Sequence, residues 1–304
     1  MFTVLSGGVG AARLLRSLRL VVDDSRLTGV VNVGDDVVLH GLTICPDLDT
    51  ICYTLAGLNN DELGWGLAGE SWRVMDELAS LGGAAWFRLG DRDLATHLYR
   101  TQRLREGATK SEVTRELCER WGVGVTLIPA TDDTVATVFD TEIGRLSFQE
   151  YFVAHRHDVV VKDVVFDGVI AARPAPGVLE AIARADRVVI APSNPLISIE
   201  PILQVPGVRD ALRARRDDVV AVSPLIAGQA LKGPAARLMA ELGHASTSVG
   251  VADLYQGLIG TMIVDEADAN VVDELRDRDL DVIVTTTVMS DEANARRLAT
   301  AVVA

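Results

Sequence analysis

Residues Val4–Leu18 read VLSGGVGAARLLRSL: an apolar start, three glycines within four positions, then helical periodicity. A strand, a glycine loop and a helix in that order open a nucleotide-binding α/β sheet. Neither named loop template fits. The dinucleotide fingerprint asks for G-x-G-x-x-G and an acid about 20 positions further on. Here Gly8-Val9-Gly10-Ala11-Ala12-Arg13 supplies only two of the glycines, and the next strand, in LTGVVNVGDD, ends at Asn32. A P-loop needs a lysine after its last glycine, and none follows. The physics behind both motifs still applies, because N–H groups at a helix start attract a phosphate.

Further along, apolar segments alternate with helical ones: GVLEAIARA with DRVVIAP, PGVRDALRAR with DDVVAVSP, GPAARLMAELG with GTMIVDEAD, and DVIVTTTVM with DEANARRLATAVV. Strands that are apolar throughout and alternate with helices imply a parallel sheet covered on both faces. The expected fold class is therefore α/β, a doubly wound, mostly parallel Rossmann-like sheet with a largely helical insertion. Residues 1–45 and 160–304 form the nucleotide-binding core in this reading, and 46–159 the insertion. DTICYTLAGL, ESWRVMDELASLG, DLATHLYRTQRLREG and TKSEVTRELCERWG carry the helical spacing, with a helix start near Lys110. Strand character returns in TVATVFDT and HDVVVKDVVFDG. Ligands of such a sheet sit beyond the carboxyl ends of its strands. The loops expected there are Ser6–Gly10, Asn32–Asp36, Pro192–Pro195 and Ser223–Pro234.

Charge narrows the ligand. The chain carries a net charge of -14, which argues against nucleic-acid binding, since phosphate backbones are met by Lys and Arg. Small anions remain open to it through backbone N–H groups or a metal. No apolar run approaches the roughly 18 residues of a membrane span. Three cysteines without a CxxC pair suit a reducing compartment. Met1-Phe2-Thr3-Val4 enters the first strand without a leader pattern, so a cytoplasmic location is expected.

GDD at Gly34–Asp36 and PDLDT at Pro46–Thr50 bring four carboxylates within 15 residues. Asp47 and Asp49 would share one side of an extended segment and suit Mg²⁺. Alternatively, Asp49 caps the following helix. Asp93 and His97, i,i+4 in FRLGDRDLATHL, read as a surface ion pair in preference to a metal pair. Arg88 and Arg92 read equally as anion receptors or as a solvated face. His155 and His157, after FQEYFV, read as structural or solvated more readily than as a general base. Lys232 is the cation of the last ligand loop.

SGGVGAAR, NVGDD, PDLDT, GWG at Gly64–Gly66, LGDRDLATH, FQEYFV, PSNPLISI and the run from Ser223-Pro224 to Lys232-Gly233-Pro234 follow one another in this order. This succession resembles the 2-phospho-L-lactate transferase family, which makes the deazaflavin coenzyme F-420. The resemblance spans roughly Thr3 to Tyr255. It implies transfer of a 2-phospholactyl or enolpyruvyl-phosphate group from a guanosine diphosphate donor to the ribityl hydroxyl of the deazaflavin Fo. GMP leaves, Mg²⁺ is the cofactor, and a homodimer is expected. By motif position, Gly7, Gly8, Gly10, Asn32, Ser193, Asn194, Lys232 and Gly233 would face the nucleotide. Asp49, Arg88 and Asp91 would face the deazaflavin, Asp35 and Asp49 the metal, with Asp49 as the catalytic carboxylate. Ala227 departs from the pattern, in a loop expected to hold more glycine. Two other readings compete. One is a nucleotide-sensing regulatory protein of the related gluconeogenesis-factor type, which would not need PDLDT and LGDRD. The other is an NAD(P)-dependent oxidoreductase, which the broken fingerprint disfavours.

Overall fold

The computed structural model describes residues 1–62, 64–230 and 233–304. β1 (Phe2–Ser6) passes through the glycine loop into α1 (Gly8–Leu18), and β2 (Leu27–Val31) follows. A small hairpin, β3 (Val37–Leu39) and β4 (Leu42–Ile44), precedes α2 (Pro46–Ala56), α3 (Arg73–Ser80), α4 (Asp91–Arg105) and α5 (Lys110–Arg120). Then come β5 (Thr126–Pro129) and an antiparallel sheet of β6 (Ala136–Thr141), β7 (Gly144–Ser147) and β8 (Val161–Asp167). The last part runs α6 (Val178–Arg184), β9 (Arg187–Ile190), α7 (Glu200–Gln204), α8 (Val208–Arg213), β10 (Val219–Val222), the short hairpin β11 (Leu225–Ile226) and β12 (Gln229–Ala230), and α9 (Ala235–Glu241). It closes with α10 (Ser248–Leu254), β13 (Thr261–Val264), α11 (Val272–Arg276), β14 (Asp281–Val284) and α12 (Glu292–Val303).

Seven strands form the central sheet in the order β14-β13-β10-β9-β1-β2-β5, every neighbouring pair parallel. β1, β2, β10 and β13 are buried at every residue, as a sheet covered on both faces requires. The doubly wound α/β reading is therefore met. Strand order reverses between β1 and β9, whose register pairs Leu5 with Ile190. That reversal places the switch point beside the glycine loop. The helix start expected near Lys110 is present. Thr109 accepts from the Glu112 amide at 3.2 Å and the Glu112 carboxylate accepts from the Thr109 amide at 2.8 Å, a reciprocal capping box.

Three local expectations need correction. First, the segment 46–159 is not wholly an insertion, because β5 pairs with β2 and forms an edge of the central sheet. Its four residues, TLIP, are too few for a periodic signal, and the proline ends it. Second, Asp47 and Asp49 lie in the first turn of a helix rather than on an extended strand. Pro46, at the first helical position, starts α2 earlier than the apolar pattern announces. Two residues apart on a helix differ by about 200° around the axis, so the two carboxylates diverge. Third, Asp93 and His97 are buried, not at the surface.

Ala227 occupies the first position of the β11–β12 turn. Its φ is +49° and that of Gly228 is +74°, the pair of left-handed conformations that a two-residue hairpin favours and glycine adopts most easily. The glycine expected there has that backbone reason.

Candidate active site

At the carboxyl ends of β1 and β9 lies a cleft of about 350 Å³, lined by Gly7, Gly8, Gly10, Pro192, Ser193, Asn194 and Gly233 among others. The Ser193 hydroxyl donates to the Gly7 carbonyl at 2.7 Å, tying the β9 loop to the β1 loop. Asn194 accepts the Leu196 amide with its oxygen, while its buried amide nitrogen has no partner. That leaves one donor at the cleft wall for a ligand. Gly8 has φ +67°, and a Cβ on Gly10 would sit 2.2 Å from the Pro192 carbonyl oxygen. No rotamer relieves a clash with backbone. Gly10→Ala is therefore expected to force the two loops apart and to cost about 1–3 kcal/mol, read as a fall of several degrees in melting temperature. An unchanged melting curve would contradict this packing.

Asp47 reaches into the same cleft from α2. It accepts from Asn32 Nδ2 at 3.0 Å and from the Gly8 amide. Asn32 thus holds Asp47 in place and is not part of the cleft lining. Asp35 comes within hydrogen-bonding reach of Asp47, and its Oδ1 is buried without a partner. Burial, then the neighbouring carboxylates Asp47 and Asp36, push the Asp35 carboxyl well above its ordinary range. Burial outweighs the Asn32 and Gly8 hydrogen bonds and lifts Asp47 to about 6. Asp36 turns instead to Lys110, whose Nζ lies 2.5 Å away.

A second cleft, about 450 Å³, opens between α2, α4 and the segment after β7. Tyr53, Trp65, Trp86, Phe87, Phe148 and Phe152 give it aromatic walls. Phe148 and Phe152 stack with centroids 4.5 Å apart and planes at 6°. Asp35, Thr50, Phe148 and Phe152 line both clefts, so the two spaces meet there.

At the inner end of the second cleft is a buried polar network. Arg100 grips both oxygens of Asp49, with Nη1 3.0 Å from Oδ2. Arg100 Nη1 also lies 3.2 Å from His97 Nδ1, which places the imidazole proton on Nε2, 3.3 Å from Asp93 Oδ2. The Tyr53 hydroxyl donates to Asp93 Oδ1 at 2.7 Å. Against the upward pull of burial, His97 and Tyr53 hold the Asp93 carboxyl below its usual value. Asp49, Asp93 and His97 offer three ligand atoms within 4.8 Å of one another, a metal-like spacing. The Arg100 guanidinium pairs with Asp49 in this cluster, so the groups stand as a buried ion-pair network.

Arg88 lines this cleft, with Nη2 2.8 Å from Asp76 and its guanidinium over the Trp72 ring at 5.2 Å. Asp91 lines neither cleft. It accepts from Ser71 and from the Arg73 and Val74 amides, at the start of α3, and the Ser71 hydroxyl foremost lowers its carboxyl. Arg92 donates to the Ala68 carbonyl. His155 is exposed, His157 half-buried, and neither lines a cleft. Lys232 lies outside the described residues. Sequence reasoning passed over Arg100, Tyr53, Phe148 and Phe152. Arg100 had a signal: it stands three residues after His97 and seven after Asp93, on one face of α4.

The model of the family described as 2-phospho-L-lactate transferase CofD matches residues 2–304. The chain belongs to this family. A phosphoenolpyruvate transferase of Streptomyces coelicolor is 47% identical over 279 residues, 90% of this chain and 88% of the relative. One of Nocardia farcinica is 47% identical over 270 residues, 86% and 81%. One of Mycolicibacterium smegmatis is 44% identical over 279 residues, 86% and 85%. In fold, the chain is similar to a crystal structure of a UPF0052 family member from Bacillus halodurans. The TM-score is 0.69 at 18% identity, covering 100% of this chain and 98% of that one. The CofD chain is thus a transferase of the phospholactate or phosphoenolpyruvate type. None of its described helices is long and apolar enough to cross a membrane.

Proposed function

We propose that this CofD-family chain joins a three-carbon phospho-acid to the ribityl hydroxyl of the deazaflavin Fo. The donor is a guanosine diphosphate derivative, the leaving group is GMP, and the product is a precursor of coenzyme F-420. The observation that carries this reading is the meeting of the two clefts at Asp35, Thr50, Phe148 and Phe152. One cleft has a glycine loop at a helix start, suited to a diphosphate. The other has aromatic walls, suited to a flat tricyclic acceptor. A transfer between the two ligands requires that contact.

The Asp35–Asp47 pair fits Mg²⁺. Two buried carboxyls in mutual reach, one with an orphaned oxygen, need a shared proton or a cation, and hard oxygen donors suit this ion. Asp35 and Asp47 would hold it; when bound, it supplies positive charge to the diphosphate that the acidic chain otherwise lacks. Asp49 faces the acceptor, oriented by Arg100. Gly8, Gly10, Ser193 and Asn194 position the nucleotide, and the stacked Phe148 and Phe152 exclude water from the junction. The test combines protein, Mg²⁺, Fo and each candidate donor, followed by mass spectrometry. GMP and the phosphodiester are the expected products. Tight guanosine-nucleotide binding without any product would mark a nucleotide sensor instead.

A further inference from the structure

A third space opens off the junction, a recess of about 20 Å³ whose polar lining is Arg13, Arg16, Thr50, Thr54, Asn59 and Asp61, the last an exposed carboxylate held by the Asn59 amide at 2.9 Å. It shares Arg13 with the nucleotide cleft, Trp65 with the aromatic cleft and Thr50 with both. Its size admits about one water, and so one oxygen of a polar head presented from the junction. Arg13 is the sole cation among the described residues of the nucleotide cleft. It is half-buried, and among the described residues no hydrogen bond or ion pair engages its guanidinium. Arg88 and Arg100 are committed to Asp76 and Asp49, and Arg16, at the outer wall of the recess, has the exposed Asp61 carboxylate 3.9 Å away.

We propose that Arg13 receives the carboxylate of the donor's three-carbon acid, with the recess as its subsite, making Arg13 the residue that selects an acid-bearing donor. The inference rests on the transferase reading above. Phosphoryl transfer places attacking and leaving oxygens roughly in line. With the acceptor in the aromatic cleft and the nucleotide beside the glycine loop, that line runs through both clefts. The acid hangs from the same phosphorus on an oxygen that neither attacks nor leaves, so it must project off the line. The recess is the third opening at the junction, and it holds a planar fork of donors that matches a carboxylate. The Thr50 and Thr54 hydroxyls are of the right chemistry to complete the pairing, while the Asn59 amide is already given to Asp61.

The test measures dissociation constants of three ligands: GDP, the acid-bearing donor, and GDP esterified with isopropanol, which keeps the ester and lacks the carboxylate. Wild-type protein is expected to prefer the acid-bearing donor to the isopropyl ester by about 30-fold, the scale of one charge-assisted pair. Arg13→Gln abolishes that preference, leaves GDP and the ester within about threefold of wild type, and melts as wild type does; Arg13→Lys restores part of the preference. A preference that persists in Arg13→Gln overturns the assignment. So does equal weakening of GDP and donor, which would put Arg13 on the diphosphate. Wild-type turnover of the donor with Fo is recorded alongside. Its absence counts against the transferase reading, whereas turnover with selectivity intact in Arg13→Gln counts against the Arg13 subsite alone.

Discussion

Asp47→Asn and Asp35→Asn are each expected to lower turnover by about 10²–10³-fold, the scale of losing one preorganised group that stabilises transition-state charge. Neither change should unfold the protein, because each removes one member of a buried like-charged pair. The sign of the pH effect follows from Asp47. Its carboxyl is raised to about 6 in the folded chain from 3.8. A raised folded value contributes stability that is complete below the unfolded value and is lost as pH rises through the folded one. Metal-free protein should therefore lose stability as pH climbs from about 4 to about 6. Asp47→Asn should flatten that slope, and added Mg²⁺ should raise the melting temperature of wild type above pH 6 but not that of the variant. Melting curves in chelator and in Mg²⁺, across that pH range, read all three effects. Full turnover in Asp47→Asn, or full activity in excess chelator, would remove the pair from the chemistry.

Arg100→Ala is expected to cost about 3–5 kcal/mol, the penalty for breaking a buried ion pair and leaving one charge uncompensated. The Arg100 side chain is 3% exposed and that of Asp49 7%, so water cannot replace either partner. For a chain of this size the loss corresponds to a fall of roughly 5–8 °C in melting temperature. The double variant Arg100→Met with Asp49→Asn should recover much of that stability, since no buried charge is then unpaired. It should not recover turnover. Asp49→Asn alone is expected to remove turnover while GDP binding survives, because Asp49 lines the aromatic cleft proposed for the acceptor and Asp47 the glycine-loop cleft proposed for the nucleotide. Unchanged turnover in Asp49→Asn would refute its place at the acceptor.

Much of the glycine-loop cleft was legible in the sequence. Gly7, Gly8, Gly10, Ser193 and Asn194 follow apolar strands directly, and a parallel sheet brings the loops after its strands to one edge. The aromatic cleft was legible only as motif order. PDLDT carries carboxylates that diverge by helical geometry onto two different clefts, and Pro46, a residue favoured at the first helical position, was the one letter that signalled the earlier start. Arg88 stands in the aromatic cleft that the motif order assigns to the acceptor, while Asp91, from the same motif, ties α4 to the start of α3.

Local periodicity and turn chemistry determined the strand–glycine-loop–helix unit, the alternation behind the parallel sheet, and the capping box at Thr109, because each depends on residues within a few positions of one another. Tertiary structure alone decided which charges meet. Asp49 finds Arg100 at a separation of 51 residues, Ser193 finds Gly7 at 186, and Asp35 finds Asp47 across the gap between a strand-end loop and a helix. Burial then decided what those meetings mean. Removed from water, a carboxylate must be neutralised by a guanidinium, a proton or a cation, and only the folded chain shows which partner stands beside each one.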